Sequence, residues 1–90
     1  MLTLLYVDDE QGLLDLGQLF LESDGEFRVT TALSGHDGLR YLAEQDFDAV
    51  VSDYQMPEMN GIEFLKKVRN SCGNIPFILF TGRGREEVVI

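Results

Sequence analysis

The sequence predicts a single domain of the α/β class, an open parallel sheet with helices on both faces. Two observations support this: short apolar segments alternate with segments of helical periodicity, and 90 residues can organise one hydrophobic core at most. Parallel strands that alternate with helices are joined by right-handed crossovers, which place the helices against the sheet. No segment repeats and Gly and Pro do not cluster, so we expect no internal linker.

The first half of the chain contains two predicted strands around one predicted helix. Leu2–Val7 form an almost continuous apolar run that acidic residues close, which is typical of a strand buried on both faces. A helix is predicted over Gln11–Glu22, followed by a stop at Ser23-Asp24-Gly25; its apolar residues at helical spacing are Leu13, Leu16, Leu19 and Phe20. Phe27–Ala32 is rich in β-branched residues and forms the second strand.

A second helix and a third strand follow. Ser34 and Asp37 have the spacing of a capping box that opens a helix through Leu39, Leu42 and Ala43. The segment Asp48–Asp53 contains Ala-Val-Val and is predicted as a buried strand.

The last predicted elements are a third helix and a fourth strand. Asn60 and Glu63 are suited to cap a helix that carries Ile62, Leu65 and Val68. The segment Pro76–Phe80 is the fourth strand, and a helix start is expected at Arg83.

Charge and cysteine content exclude several classes of protein. The 7 Lys and Arg residues against 16 Asp and Glu residues give a net charge of −9, which repels nucleic-acid phosphates and anionic lipid headgroups. We therefore expect no direct nucleic-acid or membrane binding by this chain. Cys72 is the sole cysteine, so no internal disulfide forms and a cytoplasmic location is expected. The first apolar run stops at Asp8, too early for a membrane span or a targeting segment.

Acidic residues follow the predicted strands at one edge of the sheet. Asp8 and Asp9 come after the first strand, Asp53 ends the third and Thr81 follows the fourth, and ligands of open α/β sheets bind at this edge. Two carboxylates about 4 Å apart repel by about 4 kcal/mol at an effective dielectric near 20, so a cluster favours a bound cation. Mg²⁺ prefers such oxygen ligands, and a carboxylate can attack a phosphoryl group that a metal and a hydroxyl neutralise. Asp53 and Thr81 suit those two roles.

Each of these residues alone has a simpler interpretation. Asp8 to Glu10 alone are typical of a helix N-cap with acidic first-turn residues, and Asp53 and Thr81 alone are typical of a turn and a cap. The joint arrangement favours a site. We assign no role to His36, which is expected on an exposed first turn. Packing or solvation accounts for the remaining candidates, which are Met56, Met59, Phe64, Arg83 and Arg85.

Three segments resemble the receiver domain of two-component response regulators. They are Val7-Asp8-Asp9-Glu10, Phe80-Thr81-Gly82 and the long loop Asp53-Tyr54-Gln55-Met56-Pro57-Glu58-Met59-Asn60-Gly61. They occur in the family's order across nearly the whole chain. The resemblance implies a flavodoxin-like sheet of order 2-1-3-4(-5) and identifies residues 1–90 as a receiver domain that is incomplete at its C-terminus.

The resemblance also implies residue roles. Asp53 is the phosphoacceptor, Thr81 is the switch hydroxyl, and Mg²⁺ is bound by Asp9 and Asp53 directly, by Asp8 largely through water and by the backbone carbonyl of Gln55. The family's last strand and helix, with a phosphate-contacting lysine, would lie beyond Ile90. Lys66 and Lys67, on the third helix, cannot replace that lysine. The fourth strand would then expose an apolar edge that could pair with another copy of the chain.

The implied function is that of a phosphoacceptor module. It takes a phosphoryl group from a histidine kinase or phosphotransfer protein onto Asp53, then switches conformation for a downstream effector or fused domain. Its chemistry is self-catalysed and involves no turnover of an external substrate. One alternative is a metal-dependent phosphohydrolase with an aspartyl nucleophile, which would want a further acid or base near Asp53. Another is a degenerate receiver that acts only as an interaction domain.

Overall fold

A computed structural model of the chain describes residues 1–80 and the backbone of residues 88–89. The strands are β1 (Leu2–Val7), β2 (Phe27–Ala32), β3 (Ala49–Asp53), β4 (Phe77–Phe80) and β5 (Val88–Val89). The helices are α1 (Gln11–Glu22), α2 (Gly35–Glu44) and α3 (Gly61–Cys72). The strand order is β2-β1-β3-β4-β5, in which the first four strands run parallel.

The predicted fold class and strand order 2-1-3-4 are therefore confirmed. The bounds of β1, α1 and β2 are those predicted, while β3 and β4 each begin one residue late, at Ala49 and Phe77. The residue before each strand still makes one backbone bond to a neighbouring strand: the Asp48 N–H donates to the Thr3 carbonyl at 2.8 Å, and the Pro76 carbonyl accepts from the Val50 N–H at 2.9 Å. Pro76 has no N–H with which to extend the pairing of β4.

The outer edge of β4 differs from the prediction. Val88–Val89 form a short strand that pairs antiparallel with Leu79 and Phe80, so this edge is occupied within the chain over those residues. The helix expected to start at Arg83 does not extend through these two residues, and valine is a residue type that favours extended backbone. Because β5 is antiparallel, it is not the parallel fifth strand that the family resemblance implies.

The side chains of the sheet alternate between two hydrophobic clusters. Leu5, Val7 and Val50 lie on the face covered by α2 and α3, where they pack with Phe64 and Val68. The opposite face is covered by α1 and contains Leu4, Tyr6, Leu14 and Val29. Successive residues of β1 thus point to opposite faces, as the period of two in a strand requires.

The buried face of α1 was wrongly predicted. Leu14 is the fully buried residue of this helix, whereas Leu13, Leu16, Leu19 and Phe20 are between 40% and 76% exposed. The helix is rotated so that Leu14 and Leu21 face the sheet and Gly17 leaves room for the ring of Tyr6. Helical spacing identified the helix, but α1 carries apolar residues on more than one face.

The helix caps follow the predicted residues in part. Asn60 and Glu63 form a reciprocal capping box, with both hydrogen bonds at 2.9 Å. Ser34 accepts a hydrogen bond from the Asp37 N–H, but the reciprocal bond is not formed; the Asp37 carboxylate instead lies 3.4 Å from the Arg40 guanidinium. Among the described residues, no helix is long and apolar enough to cross a membrane.

Candidate functional site

Two neighbouring strands deliver three carboxylates to one edge of the sheet. Asp53 is the last residue of β3, and Asp8 follows β1, whose final residue pairs in register with Ser52. Asp8 and Asp53 are buried and Asp9 is half-buried. One carboxylate oxygen of each residue lies within 4.8 Å of the others. The topology thus brings together the three carboxylates that the sequence assigned to this edge.

Asp8 is held by the backbone around it. Its N–H donates to the carbonyl of Ala32 at 3.1 Å, and its Oδ1 accepts from the N–H of Glu10 at 3.0 Å. The other oxygen, Oδ2, is buried and has no hydrogen-bond partner among the described residues. Asp8 is not the helix cap of the simpler interpretation, because the N-cap of α1 is Glu10, which makes no side-chain capping bond.

Burial raises the pKa of Asp8 from 3.8 to about 6. The hydrogen bond from the Glu10 N–H opposes this rise, and the negative charges of Asp53, Asp9 and Glu10 add to it. Burial also raises the pKa of Tyr6, with further contributions from Asp8 and Asp53. The site is therefore a buried anionic cluster in which every added negative charge is unfavourable.

The loop after β3 forms one wall of a cleft beside the carboxylates. Met56 and Met59 are buried in the core, as the sequence predicted, and between them Glu58 has a positive φ of 67°. The Met59 N–H donates to the Pro57 carbonyl at 2.7 Å across this tight turn. The cleft has a volume of about 510 Å³ and is lined by Asp9, Tyr54, Gln55, Met56, Pro57 and Asn60. Gln55 thus lies on the same cleft as Asp9.

Gly61 fixes the far end of this loop against the phosphoacceptor candidate. Its N–H donates to the Tyr54 carbonyl at 2.8 Å. A Cβ at this position would lie 2.5 Å from the Asp53 carbonyl oxygen and 2.9 Å from the Tyr54 Cα. Only a residue without a side chain allows this approach.

Two residues of the site received no role from the sequence. Gly61 belongs to the loop that resembles the receiver family and is the first residue of the capped helix α3. A glycine at such a position can indicate that another part of the backbone approaches closely. Tyr6 packs beside the cluster and precedes Asp8 by two residues, so the period of a strand puts both on the same face of the sheet. Its ring lies 6.1 Å from that of Phe80.

The other residues that the sequence singled out lie partly within and partly outside the described residues. Phe80 ends β4 as the register partner of Asp53, and its carbonyl accepts from the Tyr54 N–H at 2.8 Å. Thr81, the predicted switch hydroxyl, lies outside the described residues, as do Gly82, Arg83 and Arg85. The remaining side chains, of His36, Lys66 and Lys67, are exposed on helices.

The donor set fits a hard divalent cation. Asp8, Asp9 and Asp53 each offer a carboxylate oxygen, and Mg²⁺ prefers carboxylate, carbonyl and water oxygens. Asp8 Oδ2 is a buried acceptor with no donor in the described part of the chain, and a cation or a metal-bound water would satisfy it. Bound positive charge would also offset the mutual repulsion of the three carboxylates.

Comparisons with known proteins agree on one family. The family model of the response regulator receiver domain matches residues 4–90. The response regulator SaeR of Staphylococcus aureus is 39% identical over 87 residues, which are 97% of this chain and 37% of SaeR. The chain therefore spans little more than a third of the length of this relative.

Solved structures show the same fold. A receiver domain protein from Clostridium thermocellum superposes with a TM-score of 0.86 at 32% identity, covering 93% of this chain and 68% of that one. The response regulator TrrA of Thermotoga maritima, in complex with Mg²⁺ and BeF, has a TM-score of 0.86 at 28% identity, covering 93% and 72%. A structure of the histidine kinase ThkA in complex with TrrA gives 0.84 at 28% identity, covering 97% and 76%. The chain belongs to the family of response regulator receiver domains.

Proposed function

We propose that this receiver domain accepts a phosphoryl group on Asp53 with the help of Mg²⁺. The observation that carries the proposal is the cluster of buried Asp8 and Asp53 with half-buried Asp9, in which one carboxylate oxygen of each residue lies within 4.8 Å of the others. The complexes of TrrA with Mg²⁺ and BeF and with a histidine kinase support both the cation and the donor. We infer that the donor of this chain is a histidine kinase or a phosphotransfer protein.

The transfer exchanges one bond to phosphorus for another. A carboxylate oxygen of Asp53 attacks the phosphorus of a phosphohistidine, the new P–O bond forms as the P–N bond breaks, and the imidazole leaves. Mg²⁺, when bound, neutralises charge on the phosphoryl oxygens. Asp8, Asp9, Asp53 and the Gln55 carbonyl would hold it. Asp53 is positioned for attack because the β3 ladder and the close approach of Gly61 fix its backbone.

The phosphorylated state would then be read elsewhere. The Thr81 hydroxyl would donate a hydrogen bond to the phosphoryl group. This contact would shift the segment that follows β4. An effector, separate or fused, would respond; the much greater length of SaeR supports a fused one. The chemistry is a stoichiometric gain and loss of a phosphoryl group on Asp53, in contrast to the phosphohydrolase alternative.

Phosphorylation by a small donor tests the proposal. Intact-mass spectrometry of the protein with acetyl phosphate and Mg²⁺ should show one added phosphoryl group, which Asp53→Asn abolishes. Asp46→Asn is the matched control, because Asp46 is an exposed aspartate outside the cluster. Label that persists in folded Asp53→Asn would move the acceptor elsewhere. A folded full-length protein that takes up no label would favour the degenerate receiver.

A further inference from the structure

One edge of the sheet is formed by β2. The N–H groups of Leu2 and Asp8 donate to the carbonyls of Glu26 and Ala32, at 3.0 and 3.1 Å. Even-numbered residues of β2 therefore direct their backbone groups toward β1. A strand residue directs its N–H and C=O to the same side, so the residues that face outward are Phe27, Val29 and Thr31. Such an edge is a template for pairing with another strand.

Two side chains of α1 occupy the middle of this edge. Gln18 Nε2 donates to the Val29 carbonyl at 2.9 Å, and the Val29 N–H donates to Glu22 Oε2 at 2.8 Å. Gln18 and Glu22 are one helical turn apart and both are half-buried. Together they satisfy the donor and the acceptor that an added strand would need at Val29.

We propose that Gln18 and Glu22 form a clamp that closes the outer edge of β2 and keeps two copies of the chain from pairing through it. Without the clamp, two β2 strands related by a twofold axis would pair antiparallel and join two sheets into one. The far edge of β4 is already paired with β5 at Leu79 and Phe80. This inference is independent of the phosphoacceptor role.

Removal of the clamp is the test. We expect Gln18→Ala/Glu22→Ala to raise the weight-average mass in sedimentation velocity, relative to the parent at the same concentration. Loss of a hydrogen bond to a charged acceptor should also speed amide exchange at Val29 about tenfold or more in Glu22→Ala. Gln11→Ala/Asp15→Ala is the matched control, because these residues form a bonded pair with the same spacing on the same helix at 2.8 Å.

Glu22→Gln keeps an acceptor oxygen. It should therefore retain the slow amide exchange at Val29 and the weight-average mass of the parent. Should the double variant not fold, the single variants Gln18→Ala and Glu22→Ala decide by the same two measurements. The proposal is overturned if folded clamp variants keep the parental mass, or if Val29 exchange is unchanged in Glu22→Ala. An equal mass increase in the Gln11/Asp15 control would also overturn it, because the exposed apolar face of α1 would then explain the association.

Discussion

Replacement of Asp8 by Asn should stabilise the metal-free protein. Asn is almost isosteric and its Oδ1 can keep the hydrogen bond from the Glu10 N–H, while the buried charge disappears. The pKa of Asp8 is about 6 in the folded chain against 3.8 for the free group, a difference of about 2 units. At 1.36 kcal/mol per unit, the ionised Asp8 destabilises the fold by about 3 kcal/mol.

The pH dependence of this stabilisation follows from the raised pKa of Asp8. The folded state holds its proton more tightly than the unfolded state, so the stability from protonated Asp8 is full below pH 3.8 and is lost as the pH rises through about 6. The gain from Asp8→Asn should therefore be complete near neutral pH and vanish in acid. For a domain of this size, about 3 kcal/mol corresponds to a rise in Tm of roughly 12 to 24 °C.

Urea unfolding in the presence of a chelator measures this effect. The free energy of unfolding of Asp8→Asn should exceed that of the parent by about 3 kcal/mol at about pH 8, and match it near pH 4. Asp46→Asn removes the same charge from an exposed position and serves as the control. If Asp8→Asn were no more stable than Asp46→Asn at pH 8, the argument from buried charge would be wrong.

Three further predictions concern the same site. The affinity for Mg²⁺ should fall about tenfold per pH unit below about pH 6, because a proton on Asp8 competes with the cation. Calorimetry measures this affinity, and equal values at pH 8 and pH 5 would contradict the prediction. Gly61→Ala should lower the free energy of unfolding by about 1–3 kcal/mol and slow the phosphorylation of Asp53. The reason is that the new Cβ would lie 2.5 Å from the Asp53 carbonyl oxygen. A folded variant that is phosphorylated at the parental rate would refute the positioning role of Gly61. Glu58→Gly should raise the free energy of unfolding by about 1 kcal/mol in urea titration by relieving the positive φ of 67°, and a loss of stability would show that the Glu58 side chain contributes more than its strain costs.

Much of the fold could be predicted because local signals agree with the tertiary structure. The acidic residues after Val7 and the Ser23-Asp24-Gly25 stop mark the ends of β1 and α1. The second bond of the capping box depends on side-chain length. The Glu63 carboxylate accepts a hydrogen bond from the N-cap backbone in α3, whereas the side chain of Asp37, one methylene shorter, does not do so in α2. The meeting of the carboxylates followed from parallel topology alone.

Other features depend on distances that no local pattern contains. The rotation of α1 depends on two hydrogen bonds to Val29 in β2 and on the close approach of Gly17 to the ring of Tyr6. Each of these contacts joins residues that are several positions apart in the sequence. The pKa of Asp8 depends on burial and on Asp53, 45 positions away along the chain. The roles of Asp8, Asp9, Asp53, Gln55 and Thr81 and the cytoplasmic location stay predictions.

The burial of Met56 and Met59 makes them natural spectroscopic reporters. The chain has 3 methionines, and the third, Met1, is 76% exposed at the opposite end of β1 from the carboxylates. Met59 packs against Gly35 at the start of α2, and Met56 lines the cleft beside Asp9. A sample labelled with ¹³C at its methionine methyl groups would therefore give two signals from the loop and one internal reference from Met1. Ligand binding to the cluster could be followed by NMR without any substitution in the protein.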